Sequence, residues 1–310
     1  MQRMKDERGA VGVVVAMLMV PMMGFAAVSI DAAALWTQRL QLQTGADAGA
    51  LAIAHDCALG ACGIPSQVAQ GMAASNMNSG AAAATVTALS SSSVTVRNSG
   101  VRNYWFAPVL GFDSSTINTE ATATWGAPVG GTAVLPLAFS YCEFLAQTGG
   151  LLPSTTTQRI ILFTKSSGVP GCTGPSNNIV PGGFGWLTVN SGNCHTTSAI
   201  NGVLASDPGN SVPSSCSSSD LVAVQGKTVL LPIFDQAFGS GSSGTYRVYG
   251  YAAFTITGYF FGGHNAWNKP CNGSERCIRG YFTKFAGTLD AFDYGPGAPK
   301  LGVSVVNLTD

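Results

Sequence analysis

Gly9-Ala-Val-Gly-Val-Val-Val-Ala-Met-Leu-Met-Val-Pro-Met-Met-Gly-Phe-Ala-Ala-Val-Ser-Ile30 is a run of 22 residues without a charge, and Asp31 ends it. As a helix rising about 1.5 Å per residue it would be roughly 33 Å long, enough for a hydrocarbon core of about 30 Å. Arg3, Lys5 and Arg8 stand before it, and basic residues beside a membrane helix favour the cytoplasmic side. The expectation is a cytoplasmic tail over 1–8, a transmembrane helix over 9–30 and an extracytoplasmic remainder. Pro21 is compatible with this, because neighbouring groups in a membrane helix re-satisfy the carbonyl that proline frees.

The helical pattern does not stop at Asp31. Leu35, Leu42, Ala46 and Ile53 share one stripe, Thr37, Gln41, Thr44 and Ala48 another, so the helix should run on as an amphipathic one to about Asp56. Gly45 and Gly49 lie four apart with Ala46, Ala50 and Ala54 beside them. Small residues at that spacing let a neighbouring backbone come close. Gly45 and Gly49 are therefore helix-docking candidates, for the chain's own β region or for another subunit. The competing reading of the N-terminus is a secretory signal cut after Ala34, since Ala32-Ala33-Ala34 fits a small-x-small site. The apolar run exceeds the usual core of about 7–15 residues, and Asp31 sits where a cleavage region should be uncharged. A retained anchor is the preferred reading.

Glu7-Arg8-Gly9-Ala10-Val11, the apolar helix with Pro21, Asp31, Leu40-Gln41 and Ala46-Asp47-Ala48-Gly49-Ala50-Leu51-Ala52 carry a family resemblance. Over roughly residues 7–56 the chain resembles the N-terminal module of TadE/TadG-like Flp pilus-assembly proteins. The resemblance implies a membrane-anchored structural or assembly component of a tight-adherence pilus, with other pilus-assembly proteins and the membrane as partners. Residues 31–126 would then be a pilin-like helix-plus-strand region. Val14 stands where processed type IV pilins usually carry Glu, so prepilin-peptidase cleavage is not implied. Some relatives add a metal-binding von Willebrand A domain with an Asp-x-Ser-x-Ser motif. Here Asp113-Ser114-Ser115 is followed by Ile117 at the last serine position, and no such domain is inferred.

Composition agrees with export. Charged residues make up 10% of the chain against about 25% in a typical soluble protein, which disfavours a free cytosolic enzyme. The formal net charge is zero and the basic residues are scattered, so nucleic acid is not an expected partner. Cys57, Cys62, Cys142, Cys172, Cys194, Cys216, Cys271 and Cys277 all fall on the extracytoplasmic side. An even number there implies disulfides. Cys57–Cys62 and Cys271–Cys277 are the best local pairs, with Cys142–Cys172 and Cys194–Cys216 next by proximity. No Cys-x-x-Cys pair occurs, and His195 beside Cys194 is isolated, so a zinc site is not expected.

Ser66–Asn78 reads as a second short helix with Ser66 as N-cap. The period then changes to two over Thr85–Leu89, Ser93–Arg97 and Ile117–Trp125, which read as strands, with a hydrophobic turn or short helix at Tyr104–Gly111. Gly126–Thr132, with three glycines and Pro128, reads as a domain boundary. Strands are expected beyond it at Val134–Phe139, Arg159–Lys165, Thr228–Phe234, Tyr246–Phe261, Tyr281–Phe292 and Leu301–Leu308. Loops are expected over Gly168–Gly185 and Ser191–Ser219, and no helix. The fold class is α+β: a long N-terminal transmembrane and amphipathic helix, then a disulfide-braced, mainly antiparallel β region over 127–310.

No catalytic constellation assembles in the sequence. Gly239-Ser-Gly-Ser-Ser-Gly244 matches a dinucleotide-loop spacing, but the alternating Thr245-Tyr-Arg-Val-Tyr249 that follows is a strand and not the required helix. Gly226-Lys227-Thr228 lacks the earlier glycine of a phosphate loop, its place being taken by Leu221. His55, His195 and His264 have no serine elbow beside them. Asp290 and Asp293, three apart in a strand-like segment, would face opposite sides. No enzyme activity, cofactor or metal is expected. Pro181-Gly-Gly-Phe-Gly-Trp-Leu187 is the most conspicuous short motif: Phe184 and Trp186 on a glycine-rich turn either fill the core or form a surface-binding loop. The second use gives the alternative function, a membrane-tethered or secreted β-domain binding a surface ligand such as carbohydrate.

Overall fold

In the computed structural model, α1 runs unbroken from Arg8 to Ala58 and takes in both the apolar run and the Ala-rich segment after it. The structure describes residues 8–78, 81–164, 169–239 and 243–309. The expected cytoplasmic residues 1–7, with Arg3 and Lys5, lie outside them, as do Lys165, Gly168 and the middle of the 239–244 loop. The chain divides into two units. One comprises the described residues up to Ala54, Gly63–Thr124 and the chain end from Leu308; the other comprises His55–Cys62 and Trp125–Asn307.

In the first unit α1 is joined by α2 (Pro65–Ser75), β1 (Ala82–Leu89), β2 (Ser93–Asn103) and β3 (Ser114–Gly126), with a single 3-10 turn at Ala107–Leu110. The strands form an antiparallel meander, Val96 facing Val86 on one side and Ala121 on the other. Period-two alternation puts Val94, Val96, Asn98, Ile117, Ala121 and Ala123 on the buried face, as a half-buried sheet requires. Leu42, Ala46, Ala50, Ile53 and Ala54 of α1 are buried too, with Ala69 and Ala73 of α2. The α2 cap falls two residues earlier than expected: Ile64, not Ser66, occupies the cap position and Pro65 the first turn, where proline's missing N–H is not needed.

The second unit contains β4 (Pro128–Ala133), β5 (Leu137–Ser140), α3 (Tyr141–Thr148), β6 (Arg159–Leu162), β7 (Cys172–Thr173), β8 (Ile179–Val180) and β9 (Phe184–Trp186). It continues through β10 (Thr196–Ala199), β11 (Val203–Ala205), α4 (Ser218–Ala223), β12 (Thr228–Phe238), β13 (Thr245–Phe260) and β14 (Ala266–Trp267). Then come β15 (Cys277–Thr283), β16 (Phe285–Gly287), β17 (Phe292–Tyr294) and β18 (Val303–Thr309), the last of which runs out of this unit after Asn307. The main sheet has the order β6-β15-β13-β12-β5-β9, with β11 and β14 also pairing on β13. A smaller sheet has the order β10-β4-β17. Antiparallel pairing dominates; β5 with β12 and β16 with β18 are parallel.

The core of this unit is aromatic. Phe139, Phe254 and Phe282 meet with ring centroids 4.6–5.4 Å apart, in the tilted and edge-on geometries that the ring quadrupole favours.

Expected and observed elements differ in three places. The division between the two units falls just before Gly126–Thr132, between Thr124 and Trp125, and the segment itself is strand where only a turn-rich boundary was expected: Pro128–Ala133 form β4, which pairs with β10 and β17. Its glycines serve close approach, since a side chain on Gly131 would collide with the Phe292 ring and Ala291 O. Two short helices, α3 and α4, occur where none was expected. Each is set by its start: Ser140 Oγ accepts the Cys142 N–H, and Ser217 and Asp220 form a capping box. Tyr281–Phe292 is not one strand but the end of β15, β16 and the start of β17.

Candidate functional site

The side chains of α1 divide sharply at Asp31. Between Val11 and Ile30 the large apolar residues are exposed, Phe25 at 76% and Val20 at 73%. From Asp31 onward the helix buries one face. Its most apolar 18-residue window has a mean hydropathy of 2.4 and no buried residue, so by length and composition it is able to cross a membrane.

Asp31 marks the junction. Its carboxylate accepts the backbone N–H groups of Trp105, Phe106 and Ala107 at 2.8, 2.9 and 2.8 Å. Desolvation opposes its ionisation, but the three amides and the Arg102 charge outweigh it and hold the carboxyl below the usual carboxylate range. This pins the 3-10 turn that follows Phe106 to the helix. Along the next turns, Gln38 Nε2 donates to Val101 O at 3.3 Å, Asn98 Nδ2 to Leu42 O at 3.0 Å and Gln43 Nε2 to Glu120 O at 3.2 Å. The sequence singled out Asp31 as the end of the apolar run, as part of the family resemblance and as an obstacle to cleavage, but not as a hydrogen-bond acceptor. Its partners lie 74 to 76 residues away, and no local pattern announces them.

Gly45 and Gly49 face inward. A side chain on Gly45 would sit 3.0 Å from Asn98 Nδ2 and 3.1 Å from the Cα of Ala73; on Gly49 it would meet the Cα of Ala69 at 3.4 Å and Val96 at 3.6 Å. The neighbouring helix admitted by these glycines is thus α2 of the same chain. Of the two alternatives for that face, the chain's own elements and another subunit's helix, the structure fills the space with the chain's own, α2 and the strand residues Val96 and Asn98.

Phe184 and Trp186 do not form a surface-binding loop. Both are buried, at 0% and 1% exposure. They lie on β9, which pairs with β5, and Phe184 packs edge-on against Phe163, Trp186 and Phe261. Gly185 between them lets Tyr246 approach. The glycine-rich turn is thus a core plug.

The eight cysteines close four disulfides, Cys57–Cys62, Cys142–Cys172, Cys194–Cys216 and Cys271–Cys277. Cys194 is therefore no nucleophile for His195. His55 and His264 are exposed, as are Asp290 and Asp293. Among the described residues no group of three His, Cys, Asp or Glu side chains is placed to hold a metal.

Among the described residues, the ion pair with the most buried carboxylate is structural. Asp235, fully buried on β12, accepts from Arg247 Nε at 3.0 Å, from a second Arg247 nitrogen, and from Ser176 Oγ at 2.7 Å. Asp235 O accepts from Asn178 Nδ2 at 3.0 Å. Together these tie the β7–β8 hairpin to the main sheet.

No family model, no curated protein and no solved structure matches the chain.

Proposed function

We propose that this chain is a single-pass envelope protein, N-terminus cytoplasmic and β-rich region extracytoplasmic, serving as a structural or assembly component of a Flp/tight-adherence pilus or a related envelope secretion system. The observation that carries the anchoring role is the change in α1 at Asp31, from apolar side chains with no protein around them to a face packed on its own unit. A bilayer is the environment in which the first half would be at home. Four disulfides beyond it support an oxidising compartment. The pilus assignment rests on the resemblance over residues 7–56, and the orientation on Arg3, Lys5 and Arg8. Burial of Phe184 and Trp186 removes the residues on which a carbohydrate-binding alternative depended.

Deleting the gene in its host should reduce surface pili, and cross-linking in intact cells should join the chain to other pilus-assembly proteins. Normal piliation in the deletion strain, with no such cross-links, would contradict the pilus assignment.

A further inference from the structure

Resting on the anchor reading above, we infer that the loop 104–112 is a second membrane contact, an aromatic wedge seated in the headgroup and upper acyl region of the outer leaflet. Its height is fixed by Asp31. The carboxylate that directly follows the apolar run holds the amides of Trp105, Phe106 and Ala107 within 2.9 Å. The loop therefore stands at the level where α1 leaves the hydrocarbon.

At that level it presents Trp105, Phe106, Val109 and Phe112 outward, at 66%, 44%, 90% and 65% exposure. Four large apolar side chains on nine residues, none buried in their own unit, would be costly in water. Aromatic rings with a polar edge prefer the membrane–water boundary. The Arg102 guanidinium lies 5.1 Å from the Trp105 ring centroid, a placement that lets a cation reach lipid phosphate while the indole faces the acyl chains. Trp36, exposed on α1 less than two turns beyond Asp31, belongs to the same belt. The occupant is lipid, because the loop is held against the exit point of the membrane helix itself.

The test uses the full chain in vesicles of phosphatidylcholine and phosphatidylglycerol carrying bromine high on the acyl chain, a short-range quencher of tryptophan. Wild type and Trp105→Phe should float with the vesicles equally. Bromine should quench wild-type emission strongly, and Trp105→Phe should lose a clear share of that quenching. Bromine placed at the bilayer centre should quench less. Flotation with identical quenching in wild type and Trp105→Phe would overturn the wedge alone. Failure of the chain to float would overturn the anchor and the wedge together. Since Trp105 is two-thirds exposed, its replacement by Phe leaves the unit's packing intact.

Discussion

The Asp31 carboxylate accepts the Phe106 backbone N–H at 2.9 Å across 75 residues of sequence. The end of the apolar helix and the tip of the strand meander are thereby one fixed point. Replacing Asp31 by Ala removes the acceptor for three amides at once. Hydrogen exchange should accelerate at Trp105, Phe106 and Ala107 while the amides of β2 and β3 keep their protection. Unchanged exchange at the three positions would show that the carboxylate does not hold the loop.

The same contact has a defined pH dependence. The folded-state pKa is lowered, so its stabilising contribution is complete above the ordinary value of 3.8 and is lost as pH falls through the lowered folded value. Loop exchange should therefore stay constant from neutral pH down to about 4 once corrected for intrinsic rates, and rise only below that. Loosening centred near pH 6 would contradict the assignment.

Gly45 and Gly49 should respond differently to alanine. Gly49→Ala places a methyl at ordinary contact distance, and the gain in helix propensity, up to about 1 kcal/mol, should leave the first unit as stable or more so. Gly45→Ala pushes against the Ala73 backbone at 3.1 Å and should cost about 1–3 kcal/mol, as overpacking does. Denaturant midpoints of the two variants check this; equal effects would mean that α2 does not press on Gly45.

Phe184→Ala and Trp186→Ala should each destabilise the second unit by about 3–5 kcal/mol, the range for emptying a buried aromatic site. Calorimetry on the reconstituted chain measures it. Wild-type stability in either variant would restore the surface-loop reading.

Asp235→Ala leaves Arg247 without its partner on a side chain that is 25% exposed. A loss of about 3–5 kcal/mol is expected. Arg97→Ala, which breaks the exposed pair with Glu120, should cost about 0–1 kcal/mol. Similar losses would place Asp235 in a more solvated setting than the structure gives it.

Much of this architecture is readable from residue patterns, because the signals are local. An uncharged run of 22 residues cannot be hidden, and cysteines 5 to 30 residues apart close with their sequence neighbours. Period two marks β2 and β3 for the same reason. What escaped depends on partners distant in sequence. Gly130 and Gly131 read as the turn-rich end of a unit, yet they lie in β4 with Ala199 and Phe292 against them. Phe184 and Trp186 fit either a core plug or a binding tip until Phe163 and Phe261 are brought to them. Asp235 carries no signal at all until Ser176 and Arg247 converge on it.

The most direct test of the anchored, exported chain combines the mass of the native protein with its accessibility. In carbonate-washed membranes from the host, the chain should be retained with residues 9–30 intact, and protease added outside wall-stripped cells should digest it beyond Asp31. A mature N-terminus at or near Leu35, on protein recovered in soluble form from the medium, would contradict the account.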